Sequence, residues 1–511
     1  MQKVNYFKHG FGTTAKFLTA LKTKPEEFWI RRGEKMALKL FKDMSVRVPA
    51  YRDFLKKQGV KSALIKNIKD FQQIPTIDKA NYLRQYDLPD LCWDGKFSSE
   101  NWDISSTSGS TGEPYYFPRN DFQNEYYALT AELYLRNNFL IQKRKTLYVN
   151  CFALGVWIGG LFTYEAIKTV VRRGNYAMSL INPGLNKTEI LKSIKKLAPY
   201  FDQIILAGYP PFIKDVIDDG QVAGLNWSEY NMKFIFSAEA FSEKFRDYIY
   251  KATGEHNVYL DSLNHYGTVD QGTLAHETPL AILLRRQALK DESLRSHIFP
   301  LSVDRLPTLG QYCPEMFYFE EEKSSLLCSS FSGLPLVRYN LNDQGGIITS
   351  KNINEFLSKD YGGIKKLSSR EGVAGLVWNL PFVYVYERQD LSVSFCGANI
   401  YPEHIRSVVQ HPDFSESLSG KFSLLVKHNE NQDPYLEINF EFKKGATIFS
   451  SEDFSKQLSD RITDHLLKNN SEYRSVYLDQ KQEKARPVLV FWEYESAQFF
   501  KSGGKHKWVV K

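Results

Sequence analysis

An α/β architecture with a smaller α+β domain behind it is the fold class this sequence predicts. Three observations predict it. Between Lys145 and Gly267, short apolar runs alternate with amphipathic stretches, the pattern of parallel strands joined by helices. From about Leu391 onward the texture changes to two paired strand-like runs, one long helical stretch and a last strand. The chain has 511 residues, enough for two or more domains with a large core.

The elements follow in order. Residues from about 34 to 46 read as an amphipathic helix, which stops before "RVPAYRDFLKKQGV" because Pro49 blocks its continuation. "SSTSGSTGEP", Ser105 to Pro114, has two readings. It is a flexible linker, or its glycines and hydroxyls let N–H and O–H donors converge on phosphate. It is not the G-x-x-x-x-G-K-[ST] loop: Gly109 and Gly112 are too close, and Glu113 stands where lysine is expected. "LYVNCFALGVWIGGLFTY", Leu147 to Tyr164, is long enough to be scored as membrane-spanning. However, Asn150 interrupts it and Gly155, Gly159 and Gly160 divide it, so a buried strand, a turn and the start of a buried helix are expected.

The alternation then runs strand "NYAMSLINPG", helix "NKTEILKSIKKLAP", strand "FDQIILAGYP", helix "PFIKDVIDDG", strand "MKFIFSAEA", helix "SEKFRDYIYKATG" and strand "NVYLDSLNHYG". Asn186 suits the N-cap of its helix, with Ile190, Ile194 and Leu197 on one face. Ligands of such sheets sit at the carboxyl ends of strands, which directs attention to the loops after Leu206, Phe236 and Leu263. Further on, "FSLLVKH" and "YLEINFEF" read as a hairpin. "SSEDFSKQLSDRITDHLLKN" reads as a helix with a Ser450/Asp453 capping box and a buried stripe of Phe454, Leu458, Ile462 and Leu466. "RPVLVFWEY" is the last strand.

Composition narrows the function classes. Hydrophobic content of 42% and charged content of 24% are those of a soluble globular chain. The net charge of +7 is spread along the chain, with no basic run of the kind that forms a nucleic-acid arm. The five cysteines include no C-x-x-C pair, which points to reduced thiols in a cytoplasmic compartment and away from a disulfide framework or a zinc site. No apolar stretch of a signal peptide opens the sequence, and the ten histidines show no metal-ligand spacing.

Five stretches in order carry more. They are "TSGSTGEP", "HYGTVDQG" (His265 to Gly272), "PLVRYNLNDQG" (Pro335 to Gly345), "ERQDLSVSFCGANIYPEHI" (Glu387 to Ile405) and "KSGGKHKWVVK" (Lys501 to Lys511). Together they resemble the ordered motifs of the adenylate-forming superfamily, and the branch they resemble most is the phenylacetate–CoA ligase-like family, with its relatives in capsule biosynthesis and the acyl-protein synthetases. The resemblance extends to "VPAYRDFLKKQGV", "IKDFQQIPTIDKANYLR", "GYPPFIKDVI" and "FSAEAFSEKFRDYI", and so covers nearly the whole chain.

The resemblance implies a large N-terminal adenylate-forming domain, residues 1–389, and a small mobile C-terminal lid, residues 390–511. It implies that a carboxylic acid, aromatic acids included, attacks the α-phosphate of ATP to give acyl-AMP and pyrophosphate. A thiol such as CoA or a carrier protein, an amine or a hydroxyl then takes the acyl group. A degenerate member that binds without turnover is the third reading. Partners would be a small carboxylic acid and CoA or a carrier protein, with no nucleic acid and no membrane span. By the same resemblance Ser108, Gly109, Ser110, Thr111 and Gly112 grip phosphate, with Glu113 in place of the usual lysine. Glu239, Tyr266, Gly267 and Thr268 belong to the nucleotide site, with Tyr266 against adenine. Asp270 stands in for the metal-binding glutamate and would hold Mg²⁺, and Val269 falls where a hydroxyl is usual. Asp343 would accept from both ribose hydroxyls and Arg388 would approach the ribose and phosphate. Asp390 is the hinge, flanked by Glu387 and Leu391 in place of a glycine and a second aspartate, and Gly397 and Asn399 lie on the acceptor loop. Lys505, with Lys507 as its rival, would bring the carboxylate and nucleotide together. Tyr209, Ser237 and His265 are candidates for the acyl pocket.

Overall fold

The computed structural model describes residues 10–106, 115–155, 158–238, 240–300, 306–388, 393–395, 398–428, 434–446, 452–470, 473–474, 477, 485–501 and 506–510. Its strands, in chain order, are β1 (Asp103–Ser106), β2 (Tyr116–Arg119), β3 (Thr146–Asn150), β4 (Met178–Ile181), β5 (Gln203–Gly208) and β6 (Met232–Phe236). There follow β7 (Ser262–Thr268), β8 (Gly272–His276), β9 (Thr308–Gln311), β10 (Phe317–Glu322), β11 (Ser325–Ser330), β12 (Leu336–Ile348) and β13 (Phe382–Arg388). The last are β14 (Val393–Phe395), β15 (Ala398–Ile400), β16 (Leu418–His428), β17 (Pro434–Phe442) and β18 (Val488–Trp492).

One 11-stranded sheet organises the large part, in the order β10-β11-β12-β13-β9-β8-β7-β6-β5-β3-β4. From β4 to β7 neighbouring strands are parallel. β3, β5 and β6 are buried at every position, as strands covered on both faces must be. Alternate side chains serve the two faces: Ile204, Leu206, Phe234 and Phe236 join one core with Ile190, Ile213 and Ile249. Tyr148, Ile205, Ala207 and Ile235 join the opposite one with Tyr134, Phe162 and Ile167. The crossover helices Lys187–Leu197, Pro210–Val222 and Glu243–Thr253 lie where the alternation placed them, and the Asn186 side chain accepts from the Glu189 N–H. The long apolar stretch from Leu147 divides as expected into β3 and the helix Ile158–Gly174. Among the described residues no helix is long and apolar enough to cross a membrane.

Two features depart from expectation. The first long helix is Glu26–Arg47, starting well before residue 34. Pro25 supplies the N-cap, Glu26 and Glu27 occupy its first turn, and Trp29 is fully buried. Its end is where Pro49 required, and Pro49 opens the next helix, Pro49–Lys57. The other is the antiparallel half of the sheet, β8 to β13. Those strands carry charges, such as Arg338 on β12 and Glu320 on β10, which are buried against each other at 3.1 Å.

The C-terminal part has its own core, built on Phe422, Leu424, Leu436, Ile438, Phe440, Leu458, Ile462 and Leu466. β16 and β17 form the expected hairpin, and β18 adds to β17 in parallel. The helix Glu452–Asn469 buries Leu458, Ile462 and Leu466; Ser450 of the expected capping box lies outside the described residues. This small domain rests on the large part through a buried ion pair, Lys421 Nζ to Asp215 Oδ2 at 2.6 Å. The Arg406 guanidinium also donates to the Ala240 carbonyl at 3.2 Å.

Candidate functional site

The sheet changes character at β7, which is parallel to β6 on one side and antiparallel to β8 on the other. The turn after β7 lies at the carboxyl end of the parallel strands, where ligands of such sheets sit. β7 ends there in Tyr266, Gly267 and Thr268, and a short turn returns the chain to β8 at Gly272. Gly267 is required by close approach: a Cβ on it would come within 2.7 Å of the Gly272 carbonyl oxygen. Gly272 itself takes φ 87°, open to glycine at little cost. The Thr268 hydroxyl accepts from the Gln271 N–H at 3.3 Å and closes the turn, while Val269 packs in part against the core.

Two tyrosine–carboxylate pairs tie this turn to β12. The Tyr266 hydroxyl donates to Asp343 Oδ2 at 2.6 Å, and both residues are buried. The Tyr339 hydroxyl donates to Asp270 Oδ2 at 2.6 Å. Asp343 is paired in register with Arg388 of β13, so Tyr266, Asp343 and the Arg388 backbone are brought together from three strands. Asp270 has a second partner: Lys79 Nζ stands 3.2 Å from its Oδ1. Neither Lys79 nor Tyr339 was singled out from sequence. Lys79 sits inside "IPTIDKANYLR", and its only signal is a lone cation beside Asp78. Tyr339 precedes Asp343 by four residues within "PLVRYNLNDQG", where a tyrosine carries no signal of its own.

Magnesium is the group the resemblance implies at Asp270, whose carboxylate is already engaged in this structure. In nucleotide sites Mg²⁺ takes one or two carboxylates and completes its shell with waters and substrate phosphates, so what matters is whether the Asp270 carboxylate is free to bind it. Asp270 offers one carboxylate whose two oxygens already meet an O–H donor and an ammonium. Among the described residues no group of three or more His, Cys, Asp and Glu is arranged to hold a metal ion.

Other expected positions are placed as follows. The loop 107–114, Glu239, Asp390, Gly397 and Lys505 lie outside the described residues, as do the side chains of Arg388 and Asn399. The strands flanking the loop, β1 and β2, pair up to Ser106 and Tyr116, and the Arg119 guanidinium donates to the Ser105 hydroxyl at 2.6 Å. Ala238, next to Glu239, has φ 74° at the end of β6, a conformation alanine rarely adopts. Tyr209 and Ser237 are half-buried at the ends of β5 and β6. His265 is inside the core instead, its ring 5.2 Å from Tyr134 and 6.4 Å from His276. Burial pushes the His265 and His276 imidazoles down to about 3, and for His265 the charge of His276 adds to this.

No family model matches the chain, and no curated protein matches it. Solved structures do. 2-Hydroxyisobutyryl-CoA ligase in the postadenylation state, in complex with 2-HIB-AMP, superposes with a TM-score of 0.68 at 13% identity, over 96% of this chain and 91% of that one. The same ligase with R3-HIB-AMP gives 0.67 at the same identity and coverage. Its complex with 2-HIB-AMP and CoA in the thioesterification state gives 0.54. With the parallel-to-antiparallel change at β7 and the separate C-terminal core, these likenesses show the fold: the chain shares the architecture of that CoA ligase, a large α/β part followed by a small C-terminal domain.

Proposed function

We propose that this protein is an AMP-forming carboxylate ligase of the phenylacetate–CoA ligase-like kind. It activates a small carboxylic acid with ATP as acyl-AMP and passes the acyl group to a thiol such as CoA. The observation that carries the reading is the Tyr266–Asp343 pair where the sheet passes from parallel to antiparallel pairing. A buried aromatic ring beside an aspartate suits a nucleoside: the ring covers the base and the carboxylate accepts from ribose hydroxyls. Tyr209 and Ser237, at neighbouring strand ends, stand where an acid would lie next to that nucleotide. The loop 107–114, Thr268 and Arg388 would surround its phosphates, with Glu239 and Gly267 completing the nucleotide site.

The second half of the proposal is movement. Asp390 is the hinge, Lys505 presents a cation to the carboxylate during adenylation, and the loop of Gly397 and Asn399 approaches the acceptor afterwards. The different TM-scores of one similar ligase in two states, 0.68 and 0.54, support a fold whose parts take more than one arrangement. The test is ATP-dependent pyrophosphate release with a panel of aliphatic and aromatic carboxylic acids. Release with some acids and not others is the expected result, and CoA competing against a carrier protein then identifies the acceptor. ATP binding without release for any acid would establish a binding protein instead.

A further inference from the structure

The sequence stretch "IPTIDKANYLR" enters the site by a route of its own. Ile77 forms a parallel bridge to Tyr339 of β12: its N–H donates to the Arg338 carbonyl at 3.2 Å, and its own carbonyl accepts from the Asn340 N–H at 2.8 Å. Just beyond it the Asp78 carboxylate accepts from the Ala80 and Asn81 N–H groups, both at 2.7 Å, while Asn81 Oδ1 accepts from the Asp78 N–H. The backbone around Lys79 is therefore held on both sides. Its ammonium is placed between two elements. It lies 3.2 Å from Asp270 Oδ1 on the turn after β7 and 5.6 Å from the ring centre of Phe117. Phe117 is on β2, one of the two strands that carry the Ser/Thr/Gly loop. Lys79 keeps 26% of its side-chain surface exposed, whereas Asp270 keeps only 4%, so the cation is the more accessible partner of the pair.

We propose that Lys79 is the fixed cation for the nucleotide's phosphate chain, and that Asp270 with Tyr339 is its holder and not a metal ligand. The proposal rests on the nucleotide reading given above. An ammonium between β2 and the turn after β7 meets the phosphates as a point charge. Asp270 sets where that charge sits, and the Tyr339 hydroxyl sets where Asp270 sits. The engagement of both Asp270 oxygens becomes intelligible in these terms: its negative charge is already matched by Lys79.

Calorimetric titration of the full chain with ATP, AMP and adenosine, in excess EDTA and again with Mg²⁺, tests this. Lys79→Met should weaken ATP and AMP at least tenfold in both conditions, leave adenosine within about twofold, and be partly rescued by Lys79→Arg. Asp270→Asn should change ATP affinity less than Lys79→Met does in EDTA. Wild-type ATP binding with unchanged affinity in Lys79→Met overturns this inference alone. An equal loss for adenosine also overturns it, because it would show that Lys79 only supports the fold. A loss in Asp270→Asn confined to the Mg²⁺ condition overturns the assignment of Asp270. Wild-type protein that binds neither ATP nor adenosine overturns the nucleotide reading itself.

Discussion

Asp343 and His276 show how one side chain commits the molecule. Asp343 sits 2.6 Å from the Tyr266 hydroxyl and is buried. On the nucleotide reading it also accepts from ribose, and charge-assisted hydrogen bonds contribute about 1.5–3 kcal/mol each. Asp343→Ala should therefore weaken ATP at least tenfold by calorimetry, and Tyr266→Phe, which removes only the donor, by less. Unchanged affinity in Asp343→Ala would remove it from the site. His276 bears on pH. Its imidazole ordinarily titrates near 6.5, and burial lowers it to about 3 in the folded protein. The unfolded chain then takes up the proton first, so the stability this residue contributes is complete above about pH 6.5 and is lost as pH falls toward 3. Between pH 7 and pH 5 that amounts to about 2 kcal/mol per histidine. Glu320 runs the other way, since burial raises its carboxyl to about 7 despite Arg338, but it is common to both proteins in a comparison. His276→Phe should thus shallow the pH dependence of the urea-unfolding free energy by about that amount. Parallel pH profiles for the two proteins would show that His276 is not held neutral.

At the scale of elements, the parallel strands were legible because each is a short, mostly apolar run between amphipathic helices. The antiparallel half was not, because its strands bury charge. The helix–sheet junction beside β7 has the same character. Arg246 donates to Glu243 and Glu277, and Arg285 meets the same two carboxylates at 2.8 and 2.7 Å. Burial opposes charge on Glu243, but the Arg246 and Arg285 guanidiniums hold its carboxyl well below the usual range. The Glu277 carboxylate also accepts from the Asn264 N–H at 2.9 Å, so the cluster pins the helix Glu243–Thr253 to β7 and to the helix Pro279–Ala288. Removing one partner of such a cluster leaves a buried charge uncompensated, at a cost of about 3–5 kcal/mol. Arg246→Met should lower the urea-unfolding free energy by about that much, and a change under about 1 kcal/mol would deny the cluster this role.

For the whole molecule the question is how the small domain is held. Lys421 of β16 reaches Asp215 at 2.6 Å and Glu441 at 3.4 Å, and Lys187 meets Asp219 and Glu495 beside them. Asp215 is on the large part and Lys421 on the small one, and both are buried. If the small domain turns as proposed, this cluster has to break for it to do so. Lys421→Met should raise amide hydrogen exchange in the helix Pro210–Val222 and in β16, because the interface loses its buried cation, while β5 and β6 stay protected. Unchanged exchange in both surfaces would mean that the ion pair does not hold the domains together.

Sequence alone determined the class of fold, the order of the parallel strands' crossovers, the stop at Pro49 and the change of texture near Leu391. These are local matters: apolar periodicity, caps and proline act within a few residues. It also placed Tyr266, Asp270 and Asp343 among the residues of interest, through the motifs that carry them. Only the tertiary structure decided what those residues touch. The bridge from Ile77 to Tyr339 spans most of the large part of the chain, and no local pattern announces that Lys79 will meet Asp270. Contacts of that range are fixed by how the N-terminal helices pack over the antiparallel half of the sheet, and that packing brings a lysine, a tyrosine and an aspartate into one charged cluster.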